Sequence, residues 1–296
     1  MKKVPVILDT DLGSDIDDSW AIAYMLKCPE LDVKLITTAT GDTTYRAKLC
    51  ARILRAGNRT DVPIGIGIAL GAIKESLYDY ANELDFVRYP GKVYDDGVKA
   101  MIDTIMSSTE KITLVSIGPT PNIARALYIE PRIAKKARFV GMHGSIRVGY
   151  NGISGRIDEE YNVVAYPYDA RRTFSADWNM TITPLDTCGT VRLSGERFKK
   201  ILRSKDPIIK EIIRSYQVWS KGTLWEKHAK KMSSVLYDTV AVYLAFSQEW
   251  LKMEDLGVRI KNGFTVEDPN AKRINVATEW VNKEAFLDHL VGRLTK

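Results

Sequence analysis

VPVILDTDLGSDIDDSWAIAYML (residues 4–26) carries the signal from which the rest of the chain can be placed. Val4 to Leu8 form an apolar run, and Asp9, Asp11, Asp15, Asp17 and Asp18 then put five carboxylates into the next ten residues. Trp20, Ile22, Ala23, Met25 and Leu26 follow at helical spacing. The pattern predicts a buried strand, an acidic turn and a packed helix. Like charges on so short a loop repel one another, and a bound cation is the simplest thing that makes them compatible. Oxygen donors of this kind suit a hard ion such as Ca²⁺ or Mg²⁺. An EF-hand loop starting at Asp9 needs glycine at its sixth position and glutamate at its twelfth, where this chain has Ser14 and Trp20. A phosphatase motif of the DxDx[T/V] kind fails at Gly13. Helix capping accounts for one or two aspartates, not five.

Working outward, strands alternate with helices. Residues 33–38 (VKLITT), 63–68, 112–117 (ITLVSI), 138–142, 163–165 and 180–183 read as strands, and residues 45–56, 96–106, 122–127 and 169–175 as helices. Residues 74–94 read as a long loop with one helical turn, and the Gly-rich run 144–155 (GSIRVGYNGISG) as an active-site flap or a surface loop. It is too irregular for a dinucleotide fingerprint, and no phosphate-binding GxxxxGK[ST] occurs. Residues 194–248 read as mostly helical, broken near Pro207, Gly222 and Ser233. Strands at 258–260 and 274–278 and a helix at 283–294 close the chain. The expected fold class is α/β, a mainly parallel sheet flanked by helices, in a single domain over residues 1–296. Such sheets bind ligands beyond the C-terminal ends of their strands, and the aspartate loop lies at such an end.

Composition narrows the function classes. Among 296 residues, 45% are apolar and 27% charged, an ordinary globular balance. Cys28, Cys50 and Cys188 are far apart and form no CxxC or Cys/His cluster, so neither a zinc site nor a disulfide framework is suggested. No signal-peptide pattern and no apolar window of membrane-spanning length occurs; a reduced, cytoplasmic protein without membrane contact is expected. The chain's net charge is +6, and residues 196–231, where eleven Lys/Arg stand against four Asp/Glu, carry a local +7, so the rest is near neutral. With no nucleic-acid motif beside it, this segment reads as a solvated helical face, and no nucleic-acid partner is expected.

DTDLGSDIDD after the VPVIL strand resembles the DxDPGxDD fingerprint of the nucleoside hydrolases, the inosine–uridine-preferring family, lengthened by two residues. Four further segments resemble that family's motifs in order: TTATGDTT (residues 37–44), SIGPTPNIA (116–124), Glu160-Tyr161-Asn162, and Tyr237-Asp238-Thr239-Val240-Ala241. The resemblance implies a Ca²⁺-dependent enzyme that hydrolyses the N-glycosidic bond of ribonucleosides to ribose and free base, for purine or pyrimidine salvage, working as a homodimer or homotetramer. It implies Asp11 as the base and a metal ligand, with Asp18, Asp238 and the Pro121 carbonyl as the remaining ligands. Asp17, Glu160, Asn162 and Met142 fall on groups that hold the ribose, and Asp9 on a supporting carboxylate behind them. Asp15, in the insertion, has no counterpart.

The departures from the family pattern concern the departing base. Tyr237 stands where many members have a histidine, residues 92–97 lack another, and Asp42 replaces an asparagine near the sugar. His143, beside Met142, reads either as a pocket group or as a core histidine. Trp219 and Trp225, with Tyr216 and His228 nearby, read either as helix packing or as contacts to the base. Two alternatives follow: a hydrolase of another ribosyl compound, or a catalytically silent Ca²⁺/ribose-binding protein.

Overall fold

A computed structural model describes residues 2–72 and 75–296. Its first strand, β1 (Val4–Thr10), sends Val6 and Leu8 into one hydrophobic core and Ile7 into another. A period-two strand that is apolar on both sides requires layers on both faces of the sheet. The chain continues through α1 (Asp17–Leu26), β2 (Leu31–Thr38), α2 (Thr43–Ala56), β3 (Ile64–Ile66), α3 (Tyr78–Asn82), β4 (Val93–Tyr94) and α4 (Gly97–Ser107). Then come β5 (Ile112–Ser116), α5 (Pro121–Ile129), α6 (Ile133–Lys136), β6 (Ala137–Met142), α7 (Tyr161–Val164), α8 (Pro167–Ser175) and β7 (Met180–Thr183). The last part holds α9 (Leu185–Cys188), α10 (Gly195–Arg203), α11 (Pro207–Ser220), α12 (Thr239–Leu244), β8 (Leu251–Lys261), β9 (Phe264–Glu267), β10 (Arg273–Trp280) and α13 (Lys283–Leu294).

The ten strands form one sheet in the order β4-β3-β2-β1-β5-β6-β7-β10-β8-β9. Pairing is parallel from β4 across to β10; β8 then runs antiparallel to β10, and β9 antiparallel to β8. From β1 the chain first winds outward through β2, β3 and β4, then returns to place β5 on the other side of β1. That reversal is a topological switch point, where helix N-termini diverge and leave a crevice at the strand ends. Asp9 lies in register with Thr37 of β2 and Ser116 of β5, so the aspartate loop leaves the sheet at this crevice. Behind it, α1 is buried from Asp17 to Met25, with Trp20 edge-on to Tyr216 of α11 at 6.2 Å. A helix covered on every side holds its N-terminal carboxylates on a fixed backbone.

Several boundaries differ from the expected ones. Residues 163–165 are not a strand: Val163 and Val164 lie in α7, whose N-cap Glu160 accepts from the Asn162 amide. The expected short strands at 258–260 and 274–278 are parts of longer ones, β8 and β10, whose exposed faces interrupt the apolar pattern with charge. Residues 221–238 form turns rather than helix, and the helix resumes only at Thr239. In the expected loop of residues 74–94, Lys74 lies outside the described residues, while α3 and β4 occupy its two ends. Within the basic segment, Arg197 pairs with Glu284 and Asp288, and Arg214 with Glu83, on solvated helix surfaces. Among the described residues no helix is long and apolar enough to cross a membrane.

Candidate active site

The loop between β1 and α1 is held from beneath by one buried cation. Arg46, on α2 and fully buried, donates from Nη1 to the carbonyls of Asp11 and Leu12, from Nε to the carbonyl of Thr40 at 2.8 Å, and from Nη2 to Ser14 Oγ at 2.9 Å. Only a guanidinium offers enough donors in a fixed fork for such a set. Tyr45 adds a hydroxyl bond to the Gly13 carbonyl at 3.1 Å, and Gly13 turns the chain at φ +106°, a conformation that side chains resist. Thr10 closes the loop: the backbone amide of Leu12, two residues on, donates to its hydroxyl, and that hydroxyl donates to Asp18.

Above this loop lies a cavity of about 420 Å³, within the range of small-ligand sites. Asp11, Asp15, Asp17 and Asp18 form one wall; Met142, Glu160 and Asn162 come from the end of β6 and the start of α7; Tyr237 and Asp238 precede α12. Asp17, Asp18 and Asp238 each present a carboxylate oxygen, and these oxygens all lie within 4.8 Å of one another. Glu160 accepts from the Gly144 and Asn162 amides, both at 2.8 Å, and Asn162 Nδ2 donates to the Ile117 and Met142 carbonyls at 3.2 and 3.0 Å. Those bonds tie the Glu-x-Asn corner to the ends of β5 and β6. Asp9 sits behind the cavity, accepting from Thr37 at 2.5 Å and Asn122 at 2.8 Å.

Burial dominates the electrostatics. Asp17, Asp18 and Asp238 are held well above the usual carboxylate range, first by burial and then by the charges of neighbouring aspartates, Asp15 at Asp17, Asp11 at Asp18, and Asp17 at Asp238. Burial pushes Asp11 up to about 6, opposed by the charge of Arg46. It carries Asp9 and Glu160 to about 7 against the hydrogen bonds they accept. Desolvated carboxylates crowded at oxygen–oxygen distances below 5 Å ionise together only around a cation. The cluster fits one: its donors are oxygens alone, which favours a hard divalent ion over zinc.

The other candidates from the sequence lie as follows. Asp42 caps α2, accepting from the Thr44 and Tyr45 amides, and is not among the cavity-lining residues. Pro121 is buried at the first turn of α5, also outside the lining. Trp219 lines the cavity and donates to the Ser14 carbonyl at 3.4 Å. Trp225 lies 6.4 Å from Trp219, ring to ring, in a separate recess with Arg192, Leu224, His228 and Met232. His143 is fully buried between Phe139 and Phe174, and burial pushes its imidazole down to about 3. His289 packs among Tyr24, Tyr243 and Trp250. None of the three histidines lines the cavity.

Tyr150 and Arg46 carry weight that the sequence reading did not give them. Tyr150 rides on the Gly-rich run, where Val148 and Ser154 form an antiparallel bridge, and meets Tyr237 edge-to-face at 6.2 Å inside the cavity. Arg46 had a readable signal. It shares a helical stripe with Leu49, Cys50 and Ile53, all buried, and a charge on an apolar stripe asks for a buried partner.

Solved structures of known proteins share this architecture. A plant nucleoside hydrolase matches with a TM-score of 0.82 and 21% identity over 99% of both chains. The purine-preferring ribonucleoside hydrolase from Gardnerella vaginalis matches at 0.77 and 21% over 98% of both. The fold is therefore that of the nucleoside hydrolases. The family profile of the inosine-uridine preferring nucleoside hydrolases matches residues 6–288, and the chain belongs to that family. Among curated relatives, the pyrimidine-specific ribonucleoside hydrolases RihA of Escherichia fergusonii and of Escherichia coli O7:K1 are each 28% identical over 98% of both chains. The protein is a nucleoside hydrolase, and its reaction is hydrolysis of the N-glycosidic bond of ribonucleosides.

Proposed function

We propose that this hydrolysis depends on Ca²⁺ and uses Asp11 as the general base. The observation that carries the reading is the convergence of Asp17, Asp18 and Asp238 oxygens beside Asp11 in one buried cavity. Asp11, Asp18, Asp238 and the Pro121 carbonyl would hold the ion. When bound, Ca²⁺ supplies positive charge that lets these carboxylates ionise together and makes a nearby water easier to deprotonate. Asp11 takes the proton of the water that attacks C1′. Arg46 fixes the main chain of Asp11 and opposes the effect of burial on its acidity. Cleavage builds positive charge on the ribose ring, and Asp17 and Glu160 set fixed negative charge around it. Asn162 and Met142 complete the ribose contacts, and Trp219 and Tyr237 face the base, with Trp225 packed behind Trp219; Asp42 caps α2 outside the lining, and a sugar contact from it would require it to leave that cap.

Incubation with purine and pyrimidine nucleosides, assayed for free ribose, tests the reading. Release lost on chelation and restored by Ca²⁺ supports it, and Asp11→Asn should lower kcat about 10³-fold. Undiminished release after exhaustive chelation removes the calcium reading. We also propose that the chain works as one domain in a cytoplasmic homodimer or homotetramer serving base salvage. A monomer by light scattering would remove the oligomer.

A further inference from the structure

We propose that the site is built for ribosides whose base is a cation, of the N-ribosylpyridinium class, in preference to neutral nucleosides; the proposal rests on the hydrolase reading above. Six carboxylates line the cavity: Asp11, Asp15, Asp17, Asp18, Glu160 and Asp238. The charges set against them are those of a divalent ion and of Arg46, whose guanidinium lies beneath the loop with its nitrogens bonded to carbonyls and Ser14. By formal charge the six carboxylates outnumber the positive charges of a divalent ion and one guanidinium, and a neutral ribose does nothing to offset the difference.

Asp15 shows where the surplus points. It is the one lining carboxylate exposed to solvent, standing on the loop beside Ser14, whose carbonyl Trp219 grips. Its charge is felt at Asp11, at Asp17 and at the hydroxyls of Tyr216 and Tyr237. Tyr150, Trp219 and Tyr237 line the same cavity, and aromatic rings attract cations. A carboxylate on the exposed side of the lining, in a cavity that also holds aromatic side chains, complements a flat cationic heterocycle.

The leaving-group chemistry agrees. A neutral purine or pyrimidine departs as an anion unless it is protonated, and no histidine lines this cavity. A ribosylpyridinium needs no acid. The water oxygen bonds to C1′, the C1′–N bond breaks, its electron pair neutralises the ring nitrogen, and the proton of the water passes to Asp11. The products are ribose and a neutral pyridine base.

The test compares N-ribosyl-3-carbamoylpyridinium with uridine on the full-length enzyme at saturating Ca²⁺, by kcat/KM across ionic strength. Intrinsic bond reactivity does not respond to salt, whereas attraction to a fixed charge is screened. The expected result is that kcat/KM for the cation falls about fivefold more than that for uridine between low and high salt. Asp15→Asn, which keeps the oxygen that accepts from the Ile16 amide, should lower the cation-to-uridine ratio about fivefold. Equal salt responses with an unchanged ratio in the variant, or uridine turnover without turnover of the cation, overturns the proposal and leaves the hydrolase reading intact. Release of ribose from neither substrate overturns both.

Discussion

Asp11 owes its position to a residue that has no side chain. A Cβ built on Gly118 would stand 2.6 Å from Asp11 Oδ1 and 2.8 Å from its amide nitrogen, so the turn after β5 closes on β1 only with glycine there. Gly118→Ala must push the carboxylate or its backbone aside. A displacement near 1 Å at the reacting group costs on the order of 100-fold in rate, and kcat should fall by that factor while circular dichroism stays native. An unchanged kcat would show that the placement of Asp11 tolerates movement. The aspartates could be read in the sequence because charge crowding is a local signal. The close approach of Gly118 to Asp11 joins residues far apart in the chain, and a glycine in a turn has many uses. Tyr150 was hidden for a similar reason: the loop that carries it was legible as glycine-rich, but not what it meets.

At the scale of elements, the loop from β1 to α1 depends on α2 through Arg46. Lysine at that position keeps the charge but offers a single point of donation, too few hydrogens for the carbonyls of Asp11, Leu12 and Thr40 together with Ser14. Arg46→Lys should lower kcat about 100-fold and remove about 2 kcal/mol of stability through the unpaired carbonyls. Urea unfolding and steady-state kinetics on the same preparation check both. A variant with native kinetics would mean that the loop holds its shape without the fork. The central strands β1, β2, β5 and β6 were legible because burial on both faces leaves apolar runs. Of β8 only residues 258–260 were legible, since Lys252, Glu254 and Asp255 interrupt the pattern in its first half, in an antiparallel part of the sheet that has one face to solvent. Residues 163–165 misled for want of length: a three-residue apolar run does not distinguish strand from helix, and the Glu160 cap decides it.

For the whole molecule, the cation site ties stability to pH in two opposed ways. Asp9 and Glu160 are raised to about 7, and Asp17, Asp18 and Asp238 further, so the ion-free fold holds protons that the unfolded chain has released. The stability these groups contribute is full below the ordinary carboxylate pKa and is lost as pH rises through their folded values. His143 acts in the opposite sense, since an imidazole pushed down to about 3 costs stability only below its ordinary 6.5. Lys272, whose amine burial pushes down to about 8, opposes the carboxylates only towards the top of the interval from pH 6.5 to about 8; the raised carboxylates outnumber it, and the Tm of the chelated protein should fall across that interval. Ca²⁺ requires the ionised ligands, so its binding strengthens as the protons leave. A ligand bound only by the folded state raises stability by RT ln(1 + [L]/Kd), about 2.7 kcal/mol at a hundredfold excess over Kd. The rise in Tm on adding saturating Ca²⁺ should then be larger at pH 8 than at pH 6.5, by scanning calorimetry of one preparation with and without chelator. A Tm indifferent to Ca²⁺ at both values would mean that the crowded carboxylates stay protonated in the working enzyme, and that no ion holds them.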